Sequence, residues 1–378
     1  MKEGWEYKTL GEIATEMYRG SGIKRDQVTK EGTPCVRYGE IYTTYNISFD
    51  TCASHTKIEN VTSPKYFEYG DLLFAITGES VEDIGKTIAY MGDEKCLCGG
   101  DIICMKHHQN PKYLAYALST PDAIRQKGIG KTKLKVVHTN APALKAISIP
   151  LAPLSEQQSI VDYLDSAFAK IDAMKANAEK RLNEAQALFQ ASLKTMLEPK
   201  EGWEEKTLPD ISENLDSKRK PVTKGKREAG IYPYYGASGI VDYVSDYIID
   251  DDILLISEDG ANLVARSTPI AFSVSGKVWV NNHAHILKFQ NIYTQYFVEY
   301  YFASIKIDEY VTGAAQPKFS QKNMNKLPIW IPSLSEQQSI VATLDSLKSK
   351  VDRLQENFDK ISQECDALKQ AILRDIFE

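Results

Sequence analysis

The sequence predicts an α+β protein made by tandem duplication. Two mixed α/β globular units are joined by two long helices that form an antiparallel coiled coil. Three observations predict it: two pairs of repeated motifs, two extended apolar seams, and strand-like runs between the repeats. At 378 residues the chain can hold two or three domains, each with its own core. Charged residues at 25% and aromatics at 10% fit a folded chain rather than a disordered one. No apolar run nears the ~18 residues of a membrane span. The opening MKEGWEYKTL is polar where a secretory signal is apolar, so a cytoplasmic protein is expected.

The repeat fixes the domain boundaries. EGWEYKTLGEI at 3–13 returns as EGWEEKTLPDI at 201–211, identical at eight of eleven positions. LSEQQSIVDYLDS at 154–166 returns as LSEQQSIVATLDS at 334–346, identical at eleven of thirteen. The divisions are then 1–150 for the first globular unit, 151–200 for a central helix, 201–332 for the second unit and 333–378 for a C-terminal helix. Between the landmarks the copies diverge. YGDLLFAI at 69–76 matches DDDILLIS at 250–257 in style only, and Gly130 and Lys135 share a register with Gly313 and Lys318. Shared ends with different middles suit two readers on a common mount, and equally suit drift of a duplicated gene.

Each helix opens on Ser-Glu-Gln-Gln, at 155–158 and 335–338, which fits a capping box. Val161, Leu164, Phe168, Ile171, Ala178, Leu182, Ala185, Phe189 and Met196 lie on one seam, interrupted by Lys175 and Ser192. Val351, Leu354, Phe358, Ile361, Cys365, Leu368 and Ile372 form the second seam. Pro199 stops the first helix. A helix of about 43 residues is roughly 65 Å long and needs an equally long partner. The other helix of the chain is the expected partner, with the globular units at opposite ends of a rod. Pairing between separate chains is the competing arrangement.

Within the units, the apolar runs 71–76 and 252–256 and the alternating run 277–287 are strand-like. Aromatic helical stretches follow at 111–127 and 293–310, then glycine-bearing loops at 128–135 and 313–320. Ten tyrosines lie in 1–150 and ten in 201–332, which strand preference explains and a nucleic-acid surface would also use. The six cysteines lack CxxC spacing, and His107–His108 and His283-x-His285 lack partner ligands, so no metal site is expected.

Basic clusters recur in matched places. Arg19, Lys24 and Arg25 come early in the first unit; Lys218, Arg219, Lys220, Lys224, Lys226 and Arg227 come early in the second. Lys127, Lys131, Lys133 and Lys135, then Lys318 and Lys322, come late. Such runs are often solvated loops. Their recurrence beside glycines also suits phosphate binding. The net charge of −6 does not favour an independent DNA binder, so a partner must supply charge or DNA is not the ligand. The phosphate-loop, dinucleotide, G-x-S-x-G and H-E-x-x-H signatures are missing, as is the [Asn/Asp]-Pro-Pro-aromatic segment of amino-methyltransferases.

The GWE…L start of each half and the Ile-Pro…LSEQQSIV…Leu-Asp segment before each long helix resemble the specificity subunit of type I restriction–modification systems. The likeness covers the whole chain and is strongest at 150–165 and 332–345. Tyr235-Gly236-Ala237-Ser238-Gly239-Ile240 and the loop 313–319 also resemble recurring segments of these domains, whereas the first unit has Arg37-Tyr38-Gly39-Glu40 instead. The resemblance implies a non-catalytic subunit with two target-recognition domains, each reading half of an asymmetric, split DNA site. It also implies that the helices set the gap and dock two adenine methyltransferase subunits. S-adenosylmethionine, and ATP and Mg of a nuclease–translocase, would then sit on the partners, with no cofactor on this chain.

Half-sites about one helical turn apart are expected. Phosphate contacts are expected from Lys24, Arg25, Lys131, Lys133, Lys135, Lys218, Arg219, Lys220 and Lys318, with Arg19 and Lys224 in the same clusters. Base or groove contacts are expected from Tyr235, Ser238 and Gln316. The alternative is a non-catalytic coiled-coil scaffold whose globular ends bind proteins. It suits the acidic balance but leaves the paired basic loops idle.

Overall fold

The structure, a computed structural model, describes residues 3–130, 136–313 and 315–378. The chain divides into two compact units, Met1–Asn177 with Asp359–Glu378, and Ala178–Phe358. Each unit therefore takes part of both long helices, cutting across the four segments read from the repeat.

In unit 1 a five-stranded sheet has the order Glu16–Arg19, Ile102–Lys106, Leu72–Ala75, Thr87–Tyr90, Ser48–Phe49. Its pairs are antiparallel except the last. A second sheet runs Val28–Thr29, Ser54–Thr56, Thr33–Val36, Cys96–Cys98, Tyr66–Phe67, with Thr33–Val36 and Cys96–Cys98 parallel. Unit 2 repeats this plan with one strand fewer in each sheet. One sheet runs Ser212–Asn214, Ala284–Phe289, Ile253–Ser257, Ala271–Val274. The other runs Gly239–Val244, Ala229–Gly236, Lys277–Val280, Ile249–Asp250, again with one parallel pair, Ala229–Gly236 with Lys277–Val280. The divergent middles have kept their topology.

The continuous apolar runs are strands buried on both faces. Leu72 and Phe74 join the core under the helices, while Leu73 and Ala75 join the core between the sheets. Leu254 and Ile256, then Ile253 and Leu255, divide in the same way in unit 2. The alternating run 277–287 is two strands, because Asn281, Asn282 and His283 turn the chain from one sheet to the other. The stretch 111–127 is likewise two helices, Pro111–Ala117 and Pro121–Gly128. The second is capped by Thr120, whose hydroxyl accepts from the Ala123 amide. In the 293–310 stretch the helix is Ile292–Ser304, followed by a short turn at Asp308–Tyr310.

The long helices are Leu154–Met196, 43 residues, and Leu334–Phe377, 44 residues. Both start one residue before the serine of the expected capping boxes, so those boxes do not form. In the second helix Ser333 is the cap, its hydroxyl accepting from the Glu336 amide. The repeated glutamines dock the helices instead. Buried Gln157 accepts from the Asn110 amide at 2.9 Å and donates to Ala152 O. Buried Gln337 accepts from the Thr294 hydroxyl at 2.8 Å and donates to Pro332 O. Further along, Asp165 accepts from the Tyr116 hydroxyl and Asp345 from the Tyr300 hydroxyl.

In unit 1 the helices run antiparallel: the Cys365 thiol faces Ile171 O, Lys369 pairs with Asp172, and Lys175 with Asp366 at 3.7 Å. Leu373 and Phe377 then enter the unit 1 core beside Trp5 and Tyr113. Unit 2 is closed in the same way, with Leu193 and Leu197 meeting Trp203, Ile340, Val341 and Leu344. Leu368 departs from its expected place on the seam and is 47% exposed. A straight helix drifts by about 20° per heptad from a 3.5-residue repeat. The inner face therefore passes from Cys365 to Lys369 and Leu373, with the Lys369 ammonium 5.3 Å from the Phe168 ring centre.

Candidate nucleic-acid interface

The shared topology brings the same five segments together at one end of each unit. In unit 2 these are the turn after Ser212–Asn214, the hairpin turn at 236–239, the segment 257–260, the turn 281–283 and the segments 312–313 and 315–319. They are tied by main-chain bonds: Asn281 N to Tyr235 O at 3.1 Å, Glu258 N to His283 O at 2.9 Å, Phe319 N to Glu258 O at 2.7 Å and Gly260 N to Pro317 O at 3.0 Å. The Ser257 hydroxyl also donates to Ala237 O. Gly239, at φ +118°, supplies the left-handed residue of the hairpin turn.

Unit 1 assembles its rim from equivalent places. Gly99 N donates to Val36 O at 2.9 Å, Ile76 N to Asp101 O at 3.0 Å and Thr139 N to Ile76 O at 3.0 Å. Val137–His138 pairs with Thr77–Gly78. Gly20 is required here, because a Cβ would fall 2.2 Å from Gly99 O. That close passage leads the chain from Arg19 to the turn holding Lys24 and Arg25.

The expected DNA contacts fall into distinct settings. Lys24 and Arg25 are exposed around the turn Arg25–Gln27. Arg19 is exposed but paired with Asp101 at 2.7 Å. Lys131, Lys133 and Lys135 lie outside the described residues. Lys218 and Lys224 are exposed on two short turns. Lys220 is exposed with its ammonium 5.7 Å from the Trp279 ring centre. Ser238 and Gln316 are exposed at the tips of the hairpin and the late loop. Lys318 is half exposed and pairs with Glu258 at 3.1 Å.

Two residues are placed otherwise than expected. Arg219 has a side chain only 17% exposed, and its guanidinium is spent on Glu258, Asp216 and the carbonyl of Ala284. Its protein partners brace the rim from behind. Tyr235 is half-buried, its ring packed against the edge of the core 6.0 Å from Phe272.

Arg219 belongs to a buried polar group that local sequence did not signal. Asp216 accepts from Ile286 N at 2.8 Å and pairs with His285 Nδ1 at 2.6 Å, while His285 Nε2 lies 2.9 Å from Phe319 O. Burial works to raise both carboxyls, but their partners win. Hydrogen bonds and charge from His285 hold Asp216 below the usual range. Hydrogen bonds from Arg219 and Lys318 do so for Glu258. The members stand at 216, 219, 258, 285 and 318, so no short motif contains them; the one hint was His283-x-His285, whose His283 meets Asp259 at 2.9 Å. Among the described residues no group of three or more His, Cys, Asp or Glu could hold a metal ion. Nor is any helix among them long and apolar enough to cross a membrane. Chemically, each rim offers exposed cations and hydrogen-bonding groups on segments tied to the sheets by main-chain bonds.

The family model for the type I restriction modification DNA specificity domain matches the chain twice, at residues 2–184 and 200–363. A Haemophilus influenzae protein named as a type I restriction enzyme specificity subunit is 34% identical over 142 residues, 38% of this chain and 36% of that protein. The match thus spans about a third of that relative's length. A Methanocaldococcus jannaschii protein named as the MjaX specificity subunit is 26% identical over 93% of this chain and 88% of its own. Among solved structures, a chain from work on complex assembly and conformational transition of the type I restriction–modification system has the same fold. Its TM-score is 0.77, with 16% identity, over 99% of this chain and 97% of that one. The HsdS subunit of Thermoanaerobacter tengcongensis aligns with a TM-score of 0.60 and 16% identity, over 100% of this chain and 97% of that one.

Proposed function

The chain belongs to the type I restriction–modification DNA specificity family, and from that premise we propose that it chooses the DNA sequence on which such a complex acts. Each unit reads one half of a split site, and the halves differ because the rims differ. The observation that carries this reading is the pair of rims built from the same five segments with different side chains. A frame kept constant while its tips vary suits two readers with different targets.

In this reading Lys24, Arg25, Lys131, Lys133, Lys135, Lys218, Lys220, Lys224 and Lys318 neutralise phosphates, and Arg19 lies at the edge of that surface. Ser238 and Gln316 reach the groove. Arg219 and Tyr235 hold the rim in shape. The chain itself does no chemistry and acts in the cytoplasm. Two adenine methyltransferase subunits dock on the long helices, which set the spacer, and a restriction–translocase subunit can join them. S-adenosylmethionine, ATP and Mg belong to those partners. Exposed Tyr163, Met174 and Leu188 on the central helix, and Leu368 on the C-terminal helix, support docking there.

Mapping modified bases in the host genome with and without the gene tests the proposal. Loss of adenine methylation at one split, non-palindromic motif is expected on deletion. An unchanged map, with this gene and its methyltransferase expressed, would favour the protein-binding scaffold.

A further inference from the structure

The two rims can be compared residue by residue at one point. In unit 2, Val280 pairs with Tyr235 in parallel register and Asn281 N donates to Tyr235 O at 3.1 Å. In unit 1, Cys98 pairs with Val36 in parallel register and Gly99 N donates to Val36 O at 2.9 Å. Val36 therefore stands where Tyr235 does, and Arg37 and Tyr38 stand where Gly236 and Ala237 do. Unit 2 turns tightly there and presents Ser238. Unit 1 places an arginine at the strand end and inserts the short helix Tyr38–Thr43.

Arg37 is held in an unusual way. Glu40 is only 7% exposed, and its carboxylate accepts from Arg37 N at 2.9 Å and from the Ser54 hydroxyl. The same carboxylate meets Arg37 Nη2 at 3.4 Å, a loose contact. Arg37 Nε is buried without a hydrogen-bond partner, while the side chain as a whole is 29% exposed. Among the described residues Nη1 also has no protein partner. The guanidinium thus leans toward Glu40 with Nη1 left over and its outer edge partly exposed, and the next residue, Tyr38, is exposed too.

We propose that Arg37, oriented by Glu40, is a base-reading side chain of unit 1 that takes a guanine through O6 and N7 on its major-groove edge. The proposal rests on the DNA-reading function above and names the ligand of one rim position. A planar fork of donors matches that acceptor pair. The Arg37 fork stands at the strand end turned toward Glu40, whereas Lys24 and Arg25 are exposed and suited to the phosphates. Glu40 is the positioning residue.

The test uses the full chain assembled with its methyltransferase partner. The probes are duplexes carrying the mapped split motif and every single base-pair replacement in both halves. Arg37→Ala should bind the intact motif roughly 10- to 100-fold more weakly. It should also stop distinguishing G·C from its replacements at one position of one half. Preference in the other half should stay as in wild type, which controls for folding. Arg37→Lys keeps the charge without the fork and should lose the same discrimination. Glu40→Gln should blur that position alone. If Arg37→Lys discriminates like wild type, or Arg37→Ala weakens all duplexes alike with a flatter salt dependence, the arginine meets a phosphate and the proposal fails. A discriminating wild type with an unaltered Arg37→Ala profile also overturns it, leaving the DNA-reading function in place. A wild-type complex that binds every duplex alike overturns both.

Discussion

The two rims share a frame and differ in how they are braced. Behind unit 2 lies a buried network of Asp216, Arg219, Glu258 and His285 that reaches out to Lys318. At the corresponding end of unit 1, Arg19 and Asp101 pair in the open, with side chains 63% and 41% exposed. The hydrogen bond there between Thr77 and His138 is exposed too. The buried carboxylate at that rim, Glu40, meets only Arg37 and the Ser54 hydroxyl, and another, Asp71, lies at the far end of the strand, where Lys106 meets it at 3.1 Å. A duplicated topology therefore fixes where the tips stand and leaves open which forces hold them.

The sharpest test of that contrast removes one carboxylate from each rim. Asp216→Ala would strand buried partners and should cost unit 2 about 3–5 kcal/mol. Asp101→Ala breaks an exposed pair and should cost unit 1 less than about 1 kcal/mol. Urea denaturation with hydrogen exchange resolved by unit checks both, and equal losses would mean the rims are braced alike.

The mount should behave in the opposite way, symmetrically. Leu164 and Leu344 are fully buried at matching places in the repeat. Each change to Ala should cost its own unit about 2–5 kcal/mol. A large difference between the two would break the equivalence of the units.

Lys127 is a burden that unit 1 alone carries. Its ammonium is enclosed, donating to Leu118 O at 2.8 Å and the Thr87 hydroxyl at 3.1 Å, and burial pushes it down to about 7. Between pH 7 and the unfolded value near 10.5 the unfolded chain binds the extra proton. Unit 1 should then gain up to about 1.4 kcal/mol per pH unit as the pH rises through that window. Lys127→Met should abolish this slope, as denaturation at pH 7.5 and 9 would reveal.

Acid should separate the units in the other direction. Asp216 and Glu258 have folded values below their unfolded 3.8 and 4.5, so their contribution is present above that range and lost as the pH falls through the lower folded values. In unit 1 burial raises Asp71 despite Lys106, so protonating it relieves the folded state. Limited proteolysis on acidification from pH 5 to 3 should open unit 2 first. Unit 1 opening first would reverse the assignment.

The sequence exposed the mount because the mount is repetitive. Trp5 and Trp203, Gln157 and Gln337, Leu164 and Leu344, and Asp165 and Asp345 occupy matched buried or docking places, and each belongs to a motif that recurs. The helix seams were legible from spacing until drift moved the last turns to Leu193, Leu197, Leu373 and Phe377. The rims were legible only as basic clusters. Arg219 looked like its neighbours Lys218 and Lys220, and Asp216 three residues before it was the one local sign that it turns inward. Two of the groups that capture it stand 39 and 65 residues away, the Glu258 carboxylate and the Ala284 carbonyl.

By itself the sequence determined the duplication, the two long helices and the strand-rich middles, since these follow from periodicity and identity along the chain. Tertiary structure alone decided that the divergent middles share one strand order. It also decided that Arg37 stands at the place of Gly236, and which cations face outward. Those outcomes depend on sheet register and on carboxylates brought in from distant segments, and register is set by packing across strands rather than by neighbours in sequence.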